Sequence, residues 1–114
     1  MIEMALAEEN LGNIDLARNY LEMAINTFPD SDLAYNNFAF LLWKFYDEPE
    51  YAKSNIDKAL QIKPNDGLYW HTLAEVEWYA FKNREKALEA LYKAKKVQKS
   101  YKGGDEMIAE LEKG

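Results

Sequence analysis

Apolar positions along this chain recur at spacings of three and four, the period of an α-helix and not of a strand. In residues 66–82 the stripe is Trp70, Leu73, Ala74, Trp78 and Phe81, and in 84–97 it is Ala87, Leu88, Leu91 and Ala94. The middle of the chain does the same with Tyr35, Phe38, Ala39, Leu42 and Tyr46, then with Ala52, Ile56, Ala59 and Leu60. The polar breaks carry helix punctuation. Asp30-Ser31 and Asn65-Asp66 follow Pro29 and Pro64 and offer helix-starting oxygens. Asn13 and Asn83 suit N-caps, Pro49 suits a first helical turn, and Gly103-Gly104 ends the last long helix before Asp105. Seven helices are predicted, over about 1–11, 14–27, 31–46, 49–62, 66–82, 84–102 and 105–113.

The stripes are also copies of one another. Ala17, Ala52 and Ala87 lie 35 residues apart, as do Ala24, Ala59 and Ala94, with Leu21, Ile56 and Leu91 in the same phase. Pro29 and Pro64, Tyr35 and Trp70, and Phe38 and Leu73 keep the interval. Self-similarity at such a period marks a stacked array of helical hairpins, an architecture that holds other molecules on an extended surface. The alanines have a direct reading: two helices of a hairpin approach closely only where side chains are short. Ala39 and Ala52 are expected to face each other's helices, with Phe38 and Ile56 filling the space beside them.

Three units carry a resemblance to the tetratricopeptide repeat family. The middle one reads Tyr35-x-x-Phe38-Ala39-x-x-Leu42, Ala52-x-x-x-Ile56, Ala59, Pro64. The third reads Trp70-x-x-Leu73-Ala74-x-x-Glu77, Ala87-x-x-x-Leu91, Ala94. The first reads Met1-x-x-Met4-Ala5-x-x-Glu8, Gly12, Ala17-x-x-x-Leu21, Ala24, Pro29. The resemblance implies an all-α fold, an α-α superhelix of about three hairpins with a short C-terminal capping helix. It implies one domain over 1–114, with units at about 1–31, 32–66 and 67–101 and the end helix at about 105–113. Departures from the pattern are specific. Thirteen residues separate Ala39 from Ala52 and Ala74 from Ala87, against twelve from Ala5 to Ala17, and the turn inside each hairpin is the expected home of the extra residue. Glu8 and Glu77 stand at aromatic positions. Lys99 replaces a proline, so the sixth helix is expected to run on to Lys102. The first unit starts in mid-pattern and leaves Ile2, Met4 and Leu6 poorly covered, which implies a piece of a longer array or a self-associating end.

In the family the first helices of successive hairpins line a concave groove. Carried over by position, the partner-binding residues would be Ile2, Leu6 and Glu9, then Asn36, Asn37, Phe40, Trp43 and Lys44, then His71, Thr72, Glu75, Trp78 and Tyr79. Phe40, Trp43, Trp78 and Tyr79 would form an aromatic floor edged by Glu9 and Glu75, suited to a segment with apolar side chains and a Lys or Arg. Trp78, four after Ala74 and three before Phe81, is equally placed for the hairpin core. Relatives that clamp chaperone C-terminal carboxylates do so with Lys, Asn, Asn, Lys and Arg. The matching positions here are Ile2, Leu6, Asn37, Leu68 and Thr72, so only Asn37 agrees and no cation is left to pair a carboxylate.

Composition narrows the function classes further. At 114 residues, 48% apolar and 30% charged, the chain suits one soluble domain with a core. It has no cysteine and one histidine, His71, with no Gly-rich phosphate loop and no metal-ligand spacing, so no enzyme, cofactor or metal is expected. The net charge of −6 argues against broad nucleic-acid or membrane binding. That charge is uneven: residues 1–30 hold six acids against Arg18, and 93–102 holds Lys93, Lys95, Lys96, Lys99 and Lys102, read as a solvated face complementing a helix C-terminus. The reading that results is a scaffold holding an unidentified protein or peptide ligand in its groove. One alternative is RNA association, since pentatricopeptide repeats share the period and Leu42-Trp43-x-x-Tyr46 resembles half-a-tetratricopeptide repeats. The other is homo-oligomerisation, or docking of neighbouring repeats, through the first helix. The N-terminus lacks the pattern of a signal peptide, which makes the cytoplasm the default compartment and leaves a periplasmic parent chain open.

Overall fold

The computed structural model describes residues 1–114 and contains helices α1 (Ile2–Asn10), α2 (Ile14–Thr27), α3 (Asp32–Phe45), α4 (Pro49–Ile62), α5 (Gly67–Glu75), α6 (Arg84–Val97) and α7 (Asp105–Lys113). A π-helical turn, Val76–Ala80, continues α5. The chain pairs α1 with α2, α3 with α4 and α5 with α6, and α2 and α4 pack on the first helices of the hairpins that follow. There are no strands. No helix is long and apolar enough to cross a membrane.

The small residues lie where the hairpins close. Ala17, Ala52 and Ala87 are each the fourth residue of a second helix and are wholly buried, as are Ala39 and Ala74 opposite. Phe38, Leu42, Ile56 and Leu91 fill the flanking volume and are also buried. The repeated prolines and aromatics have a shared task. Tyr35 donates its hydroxyl hydrogen to the Pro29 carbonyl at 2.9 Å, and Trp70 donates its indole N–H to the Pro64 carbonyl at 2.7 Å. Each bond ties a first helix to the turn that precedes it, and only Tyr and Trp among the aromatics supply the donor.

Ser31, Asp66 and Asn83 accept backbone N–H bonds from Ala34, Leu68 and Lys86 and so cap α3, α5 and α6. Asn13 does not cap α2. Its side-chain amide donates to the Glu8 carboxylate at 2.8 Å instead.

Two further expectations need correction. All three hairpin turns are three residues long, at 11–13, 46–48 and 81–83, so the extra residue is not in a turn. It lengthens the end of α3, and beside α5 it is absorbed by the π turn, where Phe81 N–H reaches back five residues to the Val76 carbonyl. Nor does α6 run to Lys102. It ends at Val97, and the backbone turns at Gln98, whose side-chain carbonyl accepts the Gly67 N–H at 2.7 Å. Tyr101 then folds back onto α5. A Cβ on Gly67 would lie 2.6 Å from the Tyr101 ring, so this approach depends on glycine.

Candidate functional site: an aromatic face between α3 and α5

The joint between the first two hairpins shows how this chain treats a charge it uses for structure. Arg18 of α2 reaches Glu48 at 2.5 Å and Glu22 at 3.8 Å. Its guanidinium lies 4.7 Å from the Tyr46 ring centre and 5.7 Å from that of Phe38. The hydrogen bond to Glu48 outweighs burial and raises the arginine's pKa. One repeat later Lys53 bonds the buried Glu77 at 3.5 Å and reaches Asp57 at 4.0 Å. A hollow lies beside that second joint, between α4, α5 and α6, lined among others by Lys53, Trp70, Leu73, Glu77 and Lys93. Within it Lys53 pairs with Glu77 and Asp57, and Lys93 lies 5.8 Å over the Trp70 ring.

The face between α3 and α5 is different. Trp43 stacks on Tyr79 with ring centres 4.8 Å apart and planes within 10°. Phe40 meets Trp43 edge to face at 5.4 Å, and the Lys44 ammonium lies 5.1 Å over Phe40. Tyr79 sits on the π turn, is 44% exposed, and completes the stack from the opposite helix. Phe40 and Trp43 are half-buried. Two polar atoms on the same side of α3, Asn36 Oδ1 and Trp43 Nε1, are buried without a hydrogen-bond partner.

Glu75 lies one helical turn before Tyr79 and is half-buried. It takes part in none of the molecule's ion pairs. Burial raises its carboxyl to about 7, and the more distant Lys44 only partly offsets that. His71, one turn earlier, is engaged: its Nδ1 and the Tyr101 hydroxyl are 2.6 Å apart. Burial lowers the histidine's pKa, so it stays neutral near pH 7. Burial, then the Glu75 charge, raises that of Tyr101.

Of the residues predicted for the groove, the structure brings Phe40, Trp43, Lys44 and Tyr79 together on one face, with Glu75 within electrostatic reach of Lys44. Asn36 and Thr72 lie below the surface, at 5% and 3% exposure, and are not positioned to meet a partner. Asn37 is half-buried, and its side-chain carbonyl accepts from Asn36 at 3.2 Å. Trp78 packs against the buried cluster of the third hairpin, which includes Ala74, Ala87 and Leu91. On α1, Leu6 is 46% exposed, Ile2 and Glu9 are half-buried, and none of them joins the aromatic cluster. Tyr101 lies against His71 beside this face, a placement the sequence did not give because its segment reads as a continuation of α6. The signal for it was the pair Lys99 and Gly103-Gly104, where the repeat stops.

No family model matches the sequence. No curated protein matches it either. Solved structures do. The first tetratricopeptide domain of Spaghetti (RPAP3), bound to the HSP90 peptide SRMEEVD, superposes over 98% of this chain and 87% of that one, with a TM-score of 0.86 and 12% identity. A double mutant of MamA (RS-1 ArsTM) superposes over 96% of this chain and 61% of that one, with a TM-score of 0.78 and 18% identity. The fold is that of the tetratricopeptide repeat.

Proposed function

On the premise of that fold, we propose that the chain is a non-catalytic scaffold that holds a peptide or extended partner segment against the α3–α5 face, the concave groove of the array. The observation that carries this reading is the Trp43–Tyr79 stack with Phe40 at its edge, large rings left partly open between neighbouring hairpins. Rings of this kind give contact area at little entropic cost and make good anchors for a partner's apolar side chains. The fold supports it too, since a neighbour of the same architecture holds a peptide.

The partner differs from the acidic tail in that neighbour. At the positions that would supply a carboxylate clamp stand Ile2, Leu6, Asn37, Leu68 and Thr72, none of them cationic, and Thr72 is buried. An acidic terminus would be desolvated there with nothing to pair it. With Lys44 as the one cation of the aromatic cluster and Glu75 beside it, the face lacks the basic stripe that RNA requires.

Selection of peptides from a random 12-residue library, repeated on Phe40→Ala/Trp43→Ala, tests the proposal. Wild-type binders should lose at least about tenfold in affinity on the double variant, the scale of one or two lost anchors. Binders that do not distinguish the two proteins would remove the groove. A second reading rests on α1, where Met4 and Leu6 are 51% and 46% exposed: self-association through that helix. Sedimentation across concentration, with Leu6→Glu as control, should then show a dimer that the substitution abolishes, and a monomer at all concentrations would end it.

A further inference from the structure

The α3–α5 face carries a mismatch that its aromatic character does not explain. Glu75 is a half-buried carboxylate with no cation within 4.0 Å and no hydrogen-bond donor on it. Every element around it was open to supply one. On α5 itself the neighbours one turn away are His71, which is committed to Tyr101, and Tyr79, which is stacked on Trp43. From α3 the available charge is Lys44, but its ammonium rests over Phe40 at 5.1 Å and near Phe45 at 5.4 Å. After α6 the facing group is the Tyr101 hydroxyl, already hydrogen-bonded to the histidine. An unpaired carboxylate beside open aromatic rings is the complement of one chemical group: a cation on an apolar stem.

We infer that the segment held in this groove presents a lysine or arginine side chain to Glu75, with its aliphatic stem lying along the Trp43–Tyr79 stack. The inference rests on the groove reading and names what the groove selects. The rings accept the methylene stem and attract the cation through their faces, while the carboxylate gains the partner that the free protein withholds. Lys44, resting over Phe40 at 5.1 Å, lies at the edge of the subsite. The ionisation of Glu75 follows from the same geometry. Below neutral pH the carboxyl holds a proton that an incoming cation must displace, so binding is expected to strengthen as the solution is made alkaline.

Three terminally blocked peptides, Leu-Lys-Leu, Leu-norleucine-Leu and Leu-Glu-Leu, test this when titrated into the isotope-labelled chain, read on the Trp43 indole N–H and the Tyr79 amide. The lysine peptide should bind about fivefold tighter than its uncharged counterpart and tighter again than the glutamate one, as expected for one partly desolvated charge contact. Its affinity should rise about three- to fivefold between pH 6 and pH 8, since a carboxyl titrating near 7 gains most of its charge in that window. Glu75→Gln, which keeps shape and fold, should erase both effects while the norleucine peptide still binds. Equal binding of the lysine and norleucine peptides, or a preference that survives Glu75→Gln, overturns the cation subsite and leaves the groove standing. Silence of both reporters toward all three peptides overturns the groove together with it.

Discussion

Arg18 and Glu75 are both charged groups set among aromatic rings, and they stand on opposite terms with their surroundings. Arg18 has Glu48 at 2.5 Å, Glu22 at 3.8 Å and the rings of Tyr46 and Phe38 around its guanidinium. Its charge is spent inside the molecule, at the joint where α2 meets the turn between α3 and α4. Glu75 is comparably covered and has none of this. A satisfied charge tightens a joint between hairpins. An unsatisfied one costs stability in the free protein, and it is tolerable when a partner completes it. On the proposed reading, the two residues separate the joint that holds the array together from the face that takes a partner.

The largest expected effect breaks the structural side of this contrast. Phe38 is 1% exposed, forms part of the aromatic surround of Arg18, and meets Tyr51 edge to face at 5.3 Å. Phe38→Ala should cost about 3–5 kcal/mol in denaturant unfolding, from lost burial plus the cavity left behind. Next comes Arg18→Gln, which leaves Glu48 without its cation. A loss of about 1–2 kcal/mol is expected, reduced from a buried-pair value because Glu48 is 38% exposed. High salt should shrink that loss.

Glu75→Gln should act with the opposite sign. The carboxyl titrates near 7 in the folded chain and near 4.5 unfolded, so between those values the folded state holds the extra proton. Stability therefore falls as pH rises through this window, and the penalty is fully present above it. Removing the charge should stabilise the protein by about 1–2 kcal/mol at pH 8, allowing for partial exposure, and leave stability unchanged at pH 4. Thermal melts at the two pH values decide this. Tyr101→Phe is the mildest: losing the hydrogen bond to His71 should cost about 0.5–1.5 kcal/mol.

Much of the fold could be read from the chain. The alanines at the 35-residue interval mark the helix contacts because close packing admits nothing larger, and the structure buries each of them. Tyr35 and Trp70 repeat with Pro29 and Pro64 because each ring bonds the preceding turn. The unread parts are those where a local signal lost to a distant one. The Lys-rich run after Ala94 has good helix propensity, yet Tyr101 finds its hydrogen bond on α5, beside Gly67, and pulls the chain out of α6. Spacing alone puts the extra residue of the third hairpin in its turn. The turn's length is shared by all three hairpins, so the helix widened instead, and that widening carries Tyr79. Within the site, the family resemblance, carried over by position, grouped Phe40, Trp43 and Tyr79 on one face. It could not tell that Asn36 and Thr72 sink beneath that face, because a polar side chain at the rim of an apolar stripe has the same sequence pattern whether covered or open.

The most direct test is the titration of the Glu75 side-chain carboxyl carbon by NMR in the free protein. A midpoint near 7 is the expected result, that of a covered carboxylate left without a partner. A midpoint near 4.5 would mean that the group is already paired or fully hydrated, and the division between an internally spent charge and an open one would not hold.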